Sequence, residues 1–408
     1  MPAACTLLAA ALYTVDASAD DAAASMFSYS GFGTVGVVHS SEDKADFTSS
    51  IFNPNGAGYS RAWSADVDSL LAGQVTATLS PQLSAVLQLM AEQNYDNTYR
   101  PHVEWGNVKY EFTPDLFVRA GRIVMPSFMD SEYRNVGYAI MWVRPPLEVY
   151  NLVPITVNDG GDASYRMHFG GVTDIVHAIY GGLDSTTPAG SHARAWNQWG
   201  IFDTLEYGPL TLRIAYNQAH LDLDALHSFF DAFRQFGPDG IAIANKYDCD
   251  GKLIPFGSVG ASYDPGPWML MAEWATSNSH CFVGAQTGWY AGGGYRYGKL
   301  SPYLTYAQVR ADSNTSAAGV PLQALPPSVA GAAAGLNAGL NGILGSIPVQ
   351  KTVSLGVRWD FAKNADLKLQ FDHTMLGTGS PGVLINIQPG FQPGGSVNLF
   401  SAAIDFVF

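Results

Sequence analysis

The sequence predicts an all-β protein, a transmembrane antiparallel β-barrel of about sixteen strands. Three observations carry that prediction. Apolar and polar residues alternate with period two through most of the chain after residue 26, as in strands with one apolar and one polar face. No amphipathic helical pattern is present to cover so many apolar faces, so they need another apolar medium, and lipid is the simplest. Tight turns and long connections alternate along the chain, the asymmetry of barrels with short periplasmic turns and long extracellular loops.

The alternation is plain in single segments. Leu83, Ala85, Leu87, Leu89 and Ala91 share one face; Ser84, Gln88 and Glu92 share the other. Leu210, Leu212, Ile214 and Tyr216 oppose Thr211, Arg213 and Asn217, and Val353, Leu355, Val357, Trp359 and Phe361 oppose Thr352, Ser354, Arg358 and Asp360. The expected strands are 27–40, 61–79, 83–93, 103–112, 116–123, 161–169, 172–181, 196–207, 209–218, 256–264, 267–277, 287–297, 300–310, 350–361, 366–376 and 396–408. The long loops cover 41–60, 94–102, 124–160, 182–195, 219–255, 278–286, 311–349 and 377–395. The tight turns between them are marked by Gly, Pro, Asn or Asp, as at 80–82, 113–115, 208–209 and 265–267. At sixteen strands the lumen holds an aqueous channel rather than a packed core. Aromatic residues gather at strand ends, among them Tyr110, Phe112, Phe169, Tyr207, Trp268, Tyr295, Trp359 and Phe361, where interfacial girdles belong.

Composition agrees. A mean hydropathy of +0.04 over 408 residues is the average of lipid-facing and water-facing side chains, too polar for a helical membrane protein and too apolar for a disordered chain. A net charge of −14 and a pI near 4.9 exclude a nucleic-acid partner, because phosphate binding needs a basic face. No stretch is long and uninterrupted enough for a spanning helix. The nearest, 329–347, carries Gly331, Gly335 and Gly339 at small-xxx-small spacing. Asn337, Asn341 and the flanking Pro327 and Pro348 make it an external loop, in part helical.

Residues 3–15 are apolar and precede Ala17-Ser18-Ala19, which reads as a secretory signal peptide over 1–24, cleaved after Ala19 or Ala24. No Lys or Arg precedes the apolar run. Residues 25–408 then form one barrel. Cys249 and Cys281 fall in the fifth and sixth long loops, whose tips are neighbours outside the membrane, and a disulfide between them is expected in an oxidising compartment. No zinc-ligand spacing occurs, and no cofactor is expected.

The last residues, 400–408, read Phe-Ser-Ala-Ala-Ile-Asp-Phe-Val-Phe. This alternation ending in Phe408 resembles the C-terminal signature of the general porins of Gram-negative outer membranes. The resemblance extends from about residue 27 to the end through the turn and loop alternation and the long third loop. It implies a sixteen-stranded homotrimer in the bacterial outer membrane. The channel would be water-filled, for passive diffusion of small hydrophilic solutes and ions. Phe408 would be read by the barrel-assembly machinery. In such porins the third loop folds into the lumen and opposes its acids to arginines of the wall. Here loop 124–160 carries Asp130, Glu132, Glu148 and Asp159 with Arg134 and Arg144, and the wall candidates are Arg61, Arg119, Arg122 and Arg166. Arg122 does not alternate with Arg119, so a bulge or a strand end is needed to bring it to the lumen. The family's Pro-Glu-Phe-Gly-Gly loop motif is absent and residues 143–148, Val-Arg-Pro-Pro-Leu-Glu, stand in its place, which leaves the loop path open.

Other readings are weaker. A channel selective for anions or sugars is the near alternative, and a barrel enzyme such as an outer-membrane lipase the distant one. Gly31, Gly33 and Gly36 match a dinucleotide fingerprint but sit inside the first strand, without the following helix such a site needs. Residues 248–251, Asp-Cys-Asp-Gly, lack the rest of a calcium-loop pattern and are expected to form a turn.

Overall fold

A computed structural model describes residues 25–188 and 190–408; the expected signal peptide, 1–24, lies outside the described residues. Sixteen long strands are present: β1 Phe27–Ser40, β2 Leu70–Thr78, β3 Leu83–Ala91, β4 His102–Thr113, β5 Leu116–Val124, β6 Val157–Phe169, β7 Val172–Thr186, β8 His192–Tyr207, β9 Leu210–Leu223, β10 Lys252–Tyr263, β11 Trp268–Asn278, β12 Ala285–Tyr295, β13 Leu300–Ala311, β14 Gln350–Ala362, β15 Ala365–Leu376 and β16 Ser396–Val407. Each pairs antiparallel with its sequence neighbours, and β16 pairs with β1 from Phe32↔Val407 to Ser40↔Leu399, so the sheet closes. Closure leaves no unpaired edge, the condition for strands in lipid.

The seam explains the glycines of the first strand. Gly31 exchanges backbone hydrogen bonds of 2.9 Å in both directions with Phe408. A Cβ on Gly31 would meet the Phe408 ring, and one on Gly33 would lie 2.6 Å from the Phe406 ring. The two terminal phenylalanines, stacked 6.3 Å apart, lie on the bare backbone of β1.

The strand order matches the sequence reading, and several boundaries differ. The second strand begins at Leu70 rather than 61; residues before it belong to the first loop, where Trp63–Ser64 pairs briefly with Val38 and His39. Strand β6 begins at Val157, so Asp159 is a strand residue and not part of the third loop. Strands β7 to β10 run four or more residues further at the long-loop end than alternation suggested. There the pattern is broken by bulges at Gly181/Leu183 and Trp196/Trp199, which shift side chains off parity without ending the ladder.

Outward positions are apolar: Leu87, Leu89, Leu212, Ile214, Leu355, Leu369 and Phe371 are all exposed. Exposed aromatics ring both ends, with Phe112, Phe169, Tyr207, Trp268 and Tyr297 beside the tight turns and Tyr180, Trp196 and Trp274 toward the loops. Among the described residues no helix is long and apolar enough to cross a membrane. Three helices longer than one turn do form among the described residues, at the long-loop end: α1 His227–Arg234, α2 Gly237–Tyr247 and α3 Pro327–Gly345. They bury Phe230, Phe233, Leu340 and Leu344 against one another, so their apolar faces meet helix rather than sheet. Cys249 and Cys281 are disulfide-bonded with a Cα separation of 5.1 Å, which ties the end of that helical cap to the sixth loop.

Candidate functional site: the loop-lined lumen

The third long loop, between β5 and β6, fills one side of the barrel. Phe128, Met129, Ile140, Met141, Trp142, Val149, Tyr150 and Leu152 are buried against Phe256, Met271, Tyr290, Tyr303 and Val309, which are the inward residues of β10 to β13. Phe128 stacks on Tyr150 at 4.5 Å and meets Phe256 edge-on at 5.3 Å. Fully burying one such side chain contributes roughly 1.5–3 kcal/mol. These inward positions of β10 to β13 are apolar because the loop rather than water covers them, and the polar ones among them, such as Ser258 and Glu273, hydrogen-bond the loop backbone at Ser127 and Met129.

Charged groups fix the loop path. The buried Lys368 of β15 donates to the carbonyl of Gly137 at 2.6 Å and pairs with Asp405 of β16 at 2.9 Å. Arg358 of β14 donates to the carbonyls of Tyr138 and Ile140 at 2.8 and 3.1 Å. Gly137 presses so closely on Asp405 that a Cβ would collide with its carboxylate. The Tyr138 hydroxyl donates to the carbonyl of Lys363 in the β14–β15 turn, so the loop descends to the tight-turn end of the barrel.

The structure departs from the expected arrangement of loop acids facing wall arginines across an opening. Glu132 makes a bidentate pair with Arg213 of β9 at 2.8 and 3.0 Å. Glu148 accepts from Gln350 at 2.7 Å and from Thr352, both on β14. Asp130 is buried with neither carboxylate oxygen hydrogen-bonded, and burial pushes its carboxyl up to about 6. Glu132 and Glu148 are turned into the wall, where partners from β9 and β14 offset the cost of desolvating them. Arg144 is likewise locked, by Asp68 of the first loop at 2.6 and 2.8 Å and by Ser401 of β16 at 2.7 Å.

The wall arginines do not meet the loop acids. Arg61 lies in the first loop, paired with Asp66, because the strand expected to carry it starts later. Arg119 pairs with Asp162 of β6. Arg122 holds Asp159 through bonds of 2.7 and 2.6 Å; the register from Arg119 to Arg122 runs unbroken, so no bulge separates them, and Arg122 reaches the rim of the lumen close to the strand end. Arg166 is exposed beside the turn at Asp115 and makes no ion pair among the described residues.

What remains open is a cavity of about 430 Å³ between the loop and strands β1 to β7. Arg134 and Asn135 border it from the loop, and Glu92, His102 and Glu104 from the opposite wall. His102 lies 3.8 Å from Glu92 and 3.6 Å from Glu104, and Asn135 donates to Glu104 at 3.2 Å. The loop thus presents a cation and the wall presents acids, the reverse of the expected polarity. Strand alternation marks Glu104 and Arg213 as inward-facing; nothing local marks them as facing a loop.

No family model and no curated protein matches the chain by sequence. Solved structures do match. OmpF of Salmonella typhi, in complex with daunomycin, aligns over 94% of this chain and 97% of its own at 12% identity, with a TM-score of 0.56. An anion-selective porin of Comamonas acidovorans aligns over 94% and 100% at 14% identity, with a TM-score of 0.54. OmpT, an outer-membrane protein of Vibrio cholerae in its trimer form, aligns over 94% and 100% at 11% identity, with a TM-score of 0.51. The fold is the sixteen-stranded barrel of the porins.

Proposed function

We propose that this protein is an outer-membrane porin, a water-filled channel for passive diffusion of small hydrophilic solutes and ions. The observation that carries the reading is the combination of a closed barrel, apolar outside between aromatic girdles, with a charged cavity inside it narrowed by the third loop. A closed barrel with an apolar exterior is stable in lipid, and charged lining decides which solute enters. The channel assembles as a homotrimer, which the trimeric form described for OmpT supports, and its terminal Phe408 strand is the signal for the barrel-assembly machinery.

Reconstitution of the purified chain in planar bilayers tests this. Stepwise ionic conductance and liposome swelling by arabinose are expected; a folded barrel that admits neither would sink the channel reading. Chemical cross-linking in detergent that stops at dimers or monomers would remove the trimer.

A further inference from the structure

The charges around the cavity sort into two sets. Most are already spent on neighbours: Arg144 on Asp68, Arg122 on Asp159, Asp66 on Arg61, and Asp184 on His192 and Arg194. Those pairs leave two groups that have no ion pair with a permanently charged partner among the described residues. On the loop side stands Arg134, which lies over the Tyr150 ring at 5.4 Å and makes no ion pair with a carboxylate among the described residues. On the wall side stand Glu92 and Glu104 with His102 between them, whose buried Nδ1 has no hydrogen-bond partner.

We propose that this cavity is a binding site for zwitterionic solutes of amino-acid to dipeptide size, carboxylate toward Arg134 and ammonium toward Glu92 and Glu104. The proposal rests on the channel reading above and names its solute class. A simple anion would satisfy Arg134 and be repelled by two carboxylates; a simple cation would meet the reverse. A solute with both charges answers both sides at once. A guanidinium offers a planar fork that matches a carboxylate, and carboxylates accept the three donors of an ammonium. The volume of about 430 Å³ admits such a molecule, being within the range of small-ligand sites. Tyr150 backs the guanidinium with a ring face, which holds Arg134 in place without neutralising it.

The test uses the full chain in liposomes and four probes of the same dipeptide backbone: dialanine, its N-acetyl form, its C-amide form and the doubly capped form, with the doubly capped form as the reference for size. Swelling rates should be highest for dialanine, by about three- to tenfold over either singly capped peptide, the discrimination of roughly one net hydrogen bond. Arg134→Gln should abolish the preference for a free carboxylate and keep that for a free amine. Glu92→Gln with Glu104→Gln should do the converse, and Arg134→Lys should restore part of the first preference. Equal rates for all four peptides in the unaltered protein would overturn the proposal, and so would variants that slow all four alike. If a variant fails to fold, judged by heat-modifiable mobility on gels, the comparison of peptides on the unaltered protein still decides. Arabinose is the control: if it enters and the peptides are not discriminated, only the solute class fails, whereas exclusion of arabinose removes the channel and this proposal together.

Discussion

Strands β2 to β7 and strands β9 to β14 are built on the same alternation, yet their inward faces differ. The first group turns Gln74, Thr76, Asn107, Lys109 and Arg119 toward the lumen, and these side chains keep part of their surface open. The second turns Phe256, Met271, Tyr290 and Tyr303 inward, and these are almost fully buried. One half of the barrel wall is hydrated and the other is a core shared with the third loop. The difference teaches that parity decides only which face a residue occupies. The chemistry of the inward face reveals whether water or protein covers it.

Removing the cover is the strongest way to break this contrast. Replacing residues 126–155 by a short Gly-Ser linker should raise single-channel conductance several-fold and leave the barrel folded, since the strand ladders carry the backbone hydrogen bonds. An unchanged conductance would mean that the loop does not narrow the pore.

Arginine scanning sharpens it. Leu87→Arg and Leu355→Arg place a charge on the lipid face of either half and should each cost about 2–4 kcal/mol of folding free energy near the midplane. Thr76→Arg, in the open half, should be nearly neutral because lumen water hydrates it. Ser354→Arg points inward as well, but under the loop beside Arg144 and Asp372, and should cost about 1–3 kcal/mol by overpacking and charge repulsion. Denaturant titrations of refolding into lipid vesicles read all four. Equal costs for Thr76→Arg and Ser354→Arg would contradict the two-halves description.

A third test concerns how tightly the loop is seated. Burial holds the carboxyl of Asp130 up near 6, above its ordinary value of 3.8. A raised carboxylate pKa leaves stability untouched below the ordinary value and erodes it as pH climbs through the interval between the two. Asp130→Asn should therefore tighten the loop at pH 7, by at most about 3 kcal/mol, and change nothing at pH 3. Amide hydrogen exchange across residues 126–136 at the two pH values is the measurement; a gain in protection larger at pH 3 would reverse the sign and refute the account.

The smallest expected effect is on selectivity. In a salt gradient, Arg134→Gln should move the reversal potential toward cation preference, and Glu92→Gln with Glu104→Gln away from it, because these groups line the open cavity. Glu132→Gln, in the filled half, should shift it far less, since that carboxylate faces Arg213 and not the cavity. A larger shift from Glu132→Gln than from Arg134→Gln would place the conducting path on the other side of the loop.

Much of this molecule was written in local patterns. Period-two alternation places Leu355 and Ser354 on opposite faces because successive Cβ atoms in a strand point opposite ways, and this needs no partner to be known. Turn residues and loop lengths set the order of sixteen strands for the same reason. The pairing of Phe408 with Gly31 could be suspected from a terminal phenylalanine and a glycine-rich first strand, but the close approach of ring and backbone exists only after closure. Helix α3 is legible in the sequence as the partly helical stretch 329–347, whereas α1 and α2, of eight and eleven residues, are too short to stand out, and their apolar residues pack against α3 from a different loop.

The sequence by itself determined the barrel, its inside and its outside, since each strand carries its own record of lipid on one face and not on the other. Only the tertiary structure decided the site. Whether a carboxylate in a long loop looks into open water or into a wall depends on which distant strand supplies Arg213 or Lys368, and that choice is made by burial: a charged group withdrawn from water must find its partner across the barrel, not along the chain.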